Sequence, residues 1–154
     1  MRGKAFVVKA SKASLILSLT MAFGDCSEPD NRVSRSTADG QFELVLQTER
    51  NWVMPDGSLP VRVVVRRLAE TLEDGLVGEV AFVVNNGSVS PSRLTATIPG
   101  GGTEGDEQET EYSEWVTFKA DRDLSAEQQG EINAIFRDAL ATLKIRIVPD
   151  PESL

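Results

Sequence analysis

Carboxylates are the only chemically versatile groups this chain carries in number, and they crowd together. Asp106, Glu107, Glu109, Glu111 and Glu114 fall within nine residues, and Asp121 and Asp123 follow shortly after. Hard oxygen donors gathered in one loop suit Ca²⁺, which takes six to eight oxygens at once. The spacing does not follow the D-x-[DN]-x-[DN]-G order of an EF-hand, and a solvated acidic loop accounts for the cluster without a ligand. No metal site and no cofactor is therefore assigned. The chain has no histidine and one cysteine. That rules out Ser-His-Asp and Cys-His nucleophilic arrangements and the usual zinc ligand sets. Gly100-Gly101-Gly102 lacks the lysine of a phosphate-binding loop and has acids beyond it, where phosphate would be repelled. With no catalytic residues to nominate, the expected class is non-enzymatic.

Two tryptophans remain as candidates for recognition, because an exposed indole can stack on a sugar ring or anchor a protein contact. Trp52 lies in a loop-like stretch and is the binding candidate; Trp115 opens an apolar run and is expected to pack. Arg62, Arg66 and Arg67 form a basic patch, expected to keep the outer face of their strand soluble.

The N-terminus belongs to a different regime. Arg2, Lys4, Lys9 and Lys12 are its only charges before Asp25, and Ala13 to Phe23 is apolar or small throughout. A basic start followed by such a run is the pattern of a secretory signal, and the run is too short to cross a bilayer, which takes about 20 residues. Cys26 follows directly, ahead of a polar stretch. This layout resembles a bacterial lipoprotein precursor, and the resemblance implies that Cys26 bears the lipid. Asp25 departs from the small residues such signals place before the cysteine. Cleavage after Gly24, with Ala22 and Gly24 at the A-x-A-like spacing, is the alternative and leaves a soluble periplasmic or secreted chain. Acyl chains would hold the protein to a membrane at about 0.8 kcal/mol per buried methylene. The whole chain has a net charge of −8; without residues 1–25, which hold four basic residues and one acid, 12 Lys+Arg face 23 Asp+Glu, a net −11. Nucleic acid is a poor partner for such a chain.

The elements that must position these groups read as strands. Residues 26–40 are polar and expected to be a flexible tether. Phe42, Leu44 and Leu46 point one way with Glu43 and Gln47 opposite, and Val61, Val63 and Val65 alternate with Arg62, Val64 and Arg66; Val80, Phe82 and Val84 make a third strand, and Val116, Phe118 and Ala120 share one face of another. Residues 92–98 make a weaker strand, and 100–114 an acidic surface loop. Pro55-Asp56-Gly57 and Asn85-Asn86-Gly87 are turn signals. The C-terminal third supports two readings. Ile132, Ile135, Phe136, Ala139, Leu140 and Leu143 have helical spacing, with Ser125 and Gln128 as a capping box. The same residues also fit a hairpin that turns near Asp138 and ends in Leu143, Ile145 and Ile147, and Gly130 costs a helix about 1 kcal/mol.

Short strands punctuated by Gly, Pro and Asn point to an all-β sandwich of about seven strands, with one helix near 125–142 if the helical reading holds. The order of the pieces is similar to bacterial immunoglobulin-like domains of the invasin and intimin type. The matching residues are Asp56-Gly57-Ser58 before Val61, Val63 and Val65; Gly78-x-Val80-x-Phe82; the run from Asn86 to Ser92; and Ala141 to Ile145. The resemblance implies a two-sheet spacer or adhesion module with no catalytic residues. The acidic insertion from Thr103 to Glu114 departs from it. The chain thus divides into a signal (1–25), a tether (26–40), one immunoglobulin-like domain (41–149) and a short tail (150–154). The expected role is an exported, lipid-anchored envelope module in contact with an envelope or surface protein. The alternative is an accessory domain that binds glycan or Ca²⁺ through Trp52 or the acidic loop.

Overall fold

The computed structural model describes residues 31–68, 75–99, 111–150 and 152. Cys26, Asp106, Glu107 and Glu109 lie outside them. The described residues form ten strands: β1 (Arg32–Ser36), β2 (Phe42–Thr48), β3 (Trp52–Val53), β4 (Ser58–Arg67), β5 (Leu76–Asn85), β6 (Gly87–Ser90), β7 (Arg93–Ile98), β8 (Glu111–Ala120), β9 (Gln128–Phe136) and β10 (Ala139–Ile147). They make two five-stranded sheets packed face to face. The first has the order β1-β2-β4-β8-β6 and the second β3-β10-β9-β5-β7. The protein is an all-β sandwich.

The alternating apolar residues supply the core between the sheets. Leu44, Leu46, Val61, Val63, Val65, Val116 and Phe118 of the first sheet meet Val80, Ile132, Ala134, Phe136, Leu143 and Ile145 of the second, all fully buried. Two aromatic rings bridge the gap. Phe136 packs edge-on against Phe42 of the opposite sheet, with ring centroids 6.0 Å apart. Its ring lies over Gly78, where a Cβ would stand 2.7 Å from Cε2. Phe118 lies over Gly87 in its own sheet and reaches Gly130 in the other; Cβ atoms there would come within 2.6 and 3.0 Å of its ring. A glycine inside a strand marks such a close approach.

This decides between helix and hairpin. Residues 128–147 form the β9–β10 hairpin, with Phe136 opposite Ala139 and Gln128 opposite Ile147. Helical spacing over 132–143 loses because both strands present alternate residues to the core. Gly130, a cost to a helix, is here the space beneath Phe118. The connection is Arg137-Asp138, with Arg137 at φ 54°. Its guanidinium sits 4.8 Å from the Phe42 ring centroid and 3.7 Å from Asp39 Oδ2.

Three short strands raise the number from the expected seven to ten. One of them, β1, occupies the segment expected to be a flexible tether: Arg32–Ser36 pairs with β2 in register from Arg32↔Gln47 to Ser36↔Glu43. The turn after it is built from polar residues. Asp39 Oδ1 accepts hydrogen bonds from the Thr37 hydroxyl and the Gln41 amide, the Gly40 amide donates to Thr37 O at 2.9 Å, and Gly40 has φ 69°. The Ala38 amide donates to Asp138 Oδ2 at 3.0 Å, tying this turn to the β9–β10 turn. Low apolar content hides such a strand, because its pairing is satisfied by the backbone. The Asn85-Asn86-Gly87 signal does mark a turn, with Asn86 at φ 55°. It carries the chain from β5 in the second sheet to β6 in the first rather than closing a hairpin.

The seat of Phe136 generates a test. Gly78→Ala is expected to destabilise the fold by about 1–3 kcal/mol through overpacking, read as a lowered urea midpoint. Combined with Phe136→Leu, the two costs should fall short of their sum by about 0.5–3 kcal/mol. Additive costs would show that the ring does not rest on Gly78.

Candidate functional site

The strands place the polar and aromatic side chains on two outer faces of different character. On the first sheet, register sets three rows across β1, β2, β4 and β8: Arg32, Gln47, Arg62, Trp115; then Ser34, Val45, Val64, Ser113; then Ser36, Glu43, Arg66, Glu111. Val45 and Val64 face outward yet are buried; long arginine stems on such a face cover apolar neighbours while their heads stay wet. Arg62 Nε donates to Ser113 Oγ at 2.7 Å, and Arg66 bridges Glu43 and Glu111 at 3.6 and 3.3 Å. Trp115 ends the first row with half of its surface open, at 51%. Strand β6 covers β8 only from Thr117 to Ala120. Among the described residues, no strand pairs with Trp115 on the side of β8 away from β4, and its amide is taken up by its neighbour's carboxylate, Glu114 Oε1 at 3.1 Å.

The outer face of the second sheet is apolar at its centre. Leu140, Ile135 and Ala81 stand side by side across β10, β9 and β5, with Val83 in the next row beside Asn133 and Thr142. Val77 lies further along the same face of β5, with the Glu79–Arg93 ion pair between it and Ala81. Val77 is 71% and Val83 59% exposed, and Leu140 and Ile135 are exposed as well. Charges bound the patch of Leu140, Ile135, Ala81 and Val83, with Arg93 opposite Ala81 and paired to Glu79 at 3.1 Å on one side and Glu131, Lys144 and Arg146 on the other.

Of the two tryptophans, Trp115 is the more exposed. Trp115, expected to pack, is exposed, because its position in β8 is out of phase with Val116 and Phe118 and so faces outward. Trp52 lies in β3, paired in parallel with β10 opposite Arg146, and is half-buried with the Arg50 guanidinium 4.7 Å from its ring centroid. Glu111, expected in the acidic loop together with Glu114, belongs to β8 and is engaged by Arg62 and Arg66. Among the described residues no group of three or more acids or cysteines is arranged to hold a metal ion. Of the three arginines expected on one surface, Arg67 turns inward, as alternation requires next to Arg66. It is buried, donates from Nη2 to Pro99 O at 2.6 Å, and leaves Nε without a partner. The strip on the second sheet escaped the sequence reading because Ile135 and Leu140 fit a helix's apolar stripe equally well.

Comparison with known proteins adds little to this geometry. No protein-family model matches the chain, and no curated protein does. Among solved structures it is similar to a family 123 glycoside hydrolase from Clostridium perfringens, described for glycolipid glycan hydrolysis. The TM-score is 0.36 and the identity 14%, over 63% of this chain and 22% of the hydrolase chain. A likeness that distant carries nothing about activity.

One carboxylate locks the end of the sandwich beside β8. Asp56, at φ 60° in the β3–β4 turn, pairs with Lys119 at 3.1 Å and Arg122 at 3.3 Å. The hydrogen bond and charge of Lys119, then those of Arg122, hold its pKa below the usual carboxylate value. A depressed folded pKa contributes stability above the unfolded value of about 3.9, and that contribution is lost as pH falls through the folded pKa. Asp56→Asn keeps a residue that tolerates positive φ and removes the charge. The variant should be less stable than the native chain at neutral pH, with the difference closing below about pH 4 in urea titrations. A difference that stays constant from pH 7 to pH 2 would mean that the charge contributes nothing.

Proposed function

We infer that the protein is a non-enzymatic, immunoglobulin-like module that is exported and held to the cell envelope through Cys26, where it serves in protein contact. The observation that carries the contact role is the apolar strip of Leu140, Ile135, Ala81 and Val83 on the outer face of the second sheet. Three exposed large aliphatic side chains beside Ala81 and uncharged Asn133 and Thr142, bounded by Arg93 and Glu79 on one side and Glu131, Lys144 and Arg146 on the other, follow the anatomy of a protein interface. On so acidic a chain, solubility by itself would favour charges there. The basic and apolar N-terminal pattern ending at Cys26 supports the envelope location, and the sandwich agrees with a spacer or adhesion role.

Two measurements test this. The mature protein recovered from membranes should carry a di- or triacyl mass increment that disappears in Cys26→Ser; a bare mass beginning at Asp25, with soluble protein in both cases, would remove the anchor. A photo-reactive residue replacing Ile135 should give one discrete adduct in cells, lost when Leu140→Lys is added. The same pattern from a photo-reactive residue at Thr117, on the opposite sheet, would remove the contact role.

A further inference from the structure

The outer face of the first sheet differs from the apolar strip in what it offers. Trp115 is the sole exposed large hydrophobic residue on the described strands of that sheet, since Val45 and Val64 are buried. One indole falls well short of the roughly 800 Å² per partner that a stable protein interface covers. It is ample for stacking on a single ring, because an indole presents a flat apolar face to the C–H side of a sugar. The other members of its row are hydrogen-bonding groups. Arg62 and Gln47 stand next to it on successive strands, and Arg32 closes the row on β1. Three interstrand spacings of about 4.8 Å make the row about 14 Å long, the scale of a short run of pyranose rings.

Charge selects among sugars. The row holding Trp115 contains two arginines, and a carboxylate beside it, Glu114, is taken up by the Trp115 amide. All three rows together hold Arg32, Arg62 and Arg66 against Glu43 and Glu111, an excess of positive charge on a chain whose net charge is −8. Arg62 is half exposed and its contact with Glu111 is long, 3.7 Å, while Nε is fixed by Ser113 at 2.7 Å. With Nε on Ser113 and Nη2 in that long contact with Glu111, Nη1 is the nitrogen turned to a further carboxylate, and a charge-assisted hydrogen bond there is the stronger kind.

We propose that the row Arg32, Gln47, Arg62 and Trp115 binds an acidic polysaccharide, with Trp115 stacking on one ring and Arg62 pairing with a uronic-acid carboxylate. This goes beyond the protein-contact reading and is independent of it, since it uses the opposite sheet. Trp52→Phe in the full chain leaves Trp115 as the one tryptophan, so its emission can be followed during titration with polygalacturonate. A saturable change is expected, weakened about tenfold by Arg62→Gln, weakened by added salt, and absent with uncharged dextran. Trp115→Ala, with Trp52 intact, should lose retardation in gels containing polygalacturonate. No saturable change, an equal response to dextran, or retention of binding in Arg62→Gln and Trp115→Ala would each overturn the proposal. Loss of the apolar strip's adduct in Leu140→Lys leaves it untouched.

Discussion

The sandwich is held at its spacing by two phenylalanine rings seated over glycines. Sheets packed face to face stand about 10 Å apart, and most of the facing residues here are valine, leucine, isoleucine or alanine, whose side chains interdigitate. Phe118 and Phe136 are too large for that pattern unless room is made. Gly87 and Gly130 make it for Phe118, and Gly78 makes it for Phe136. Removing a Cβ from a strand costs backbone entropy and packing surface; filling the space with a ring restores dense packing.

Because the core is satisfied between the sheets, each outer face is available for other purposes, and the two have diverged. On the first, Val45 and Val64 are buried among polar neighbours, and the heads of Arg62 and Arg66 pair with Glu43 and Glu111. Exposed pairs of this kind contribute little stability, about 0–1 kcal/mol each; what they do is keep a face with two outward valines wet. On the second, Leu140, Ile135 and Val83 are exposed. The same constraint, strict alternation along the strand, thus yields a polar platform on one side and an apolar one on the other.

Alternation was also the part of the fold most legible in the sequence. Val61, Val63 and Val65, and Val116, Phe118 and Ala120, point inward as their spacing requires, and the turns at Asp56 and Asn86 lie where Asp-Gly and Asn-Gly stand. Two expectations broke the rule and failed for that reason. Arg66 and Arg67 cannot share a face when they are adjacent in a strand, and Trp115 cannot face the core when Val116 does. The strand β1 and the start of β8 carry few apolar residues. Their identity depends on backbone partners supplied by β2 and β4, which composition does not record.

By itself the sequence determined the class of structure, because a period of two in apolar residues can be satisfied only by strands with a buried face. It also determined that histidine chemistry is absent and that the N-terminus differs in kind from the rest. Tertiary structure alone decided the outcome over residues 128–147, where helical and strand periodicities coincide. There Phe118 above Gly130 and the pairing with β5 favour the strand. It alone decided which residues share a surface. Trp115 joins Arg62, Gln47 and Arg32, and Val83 joins Ile135 and Leu140, through cross-strand register. Register is set by how strands distant in the chain lie side by side, and local sequence does not encode that.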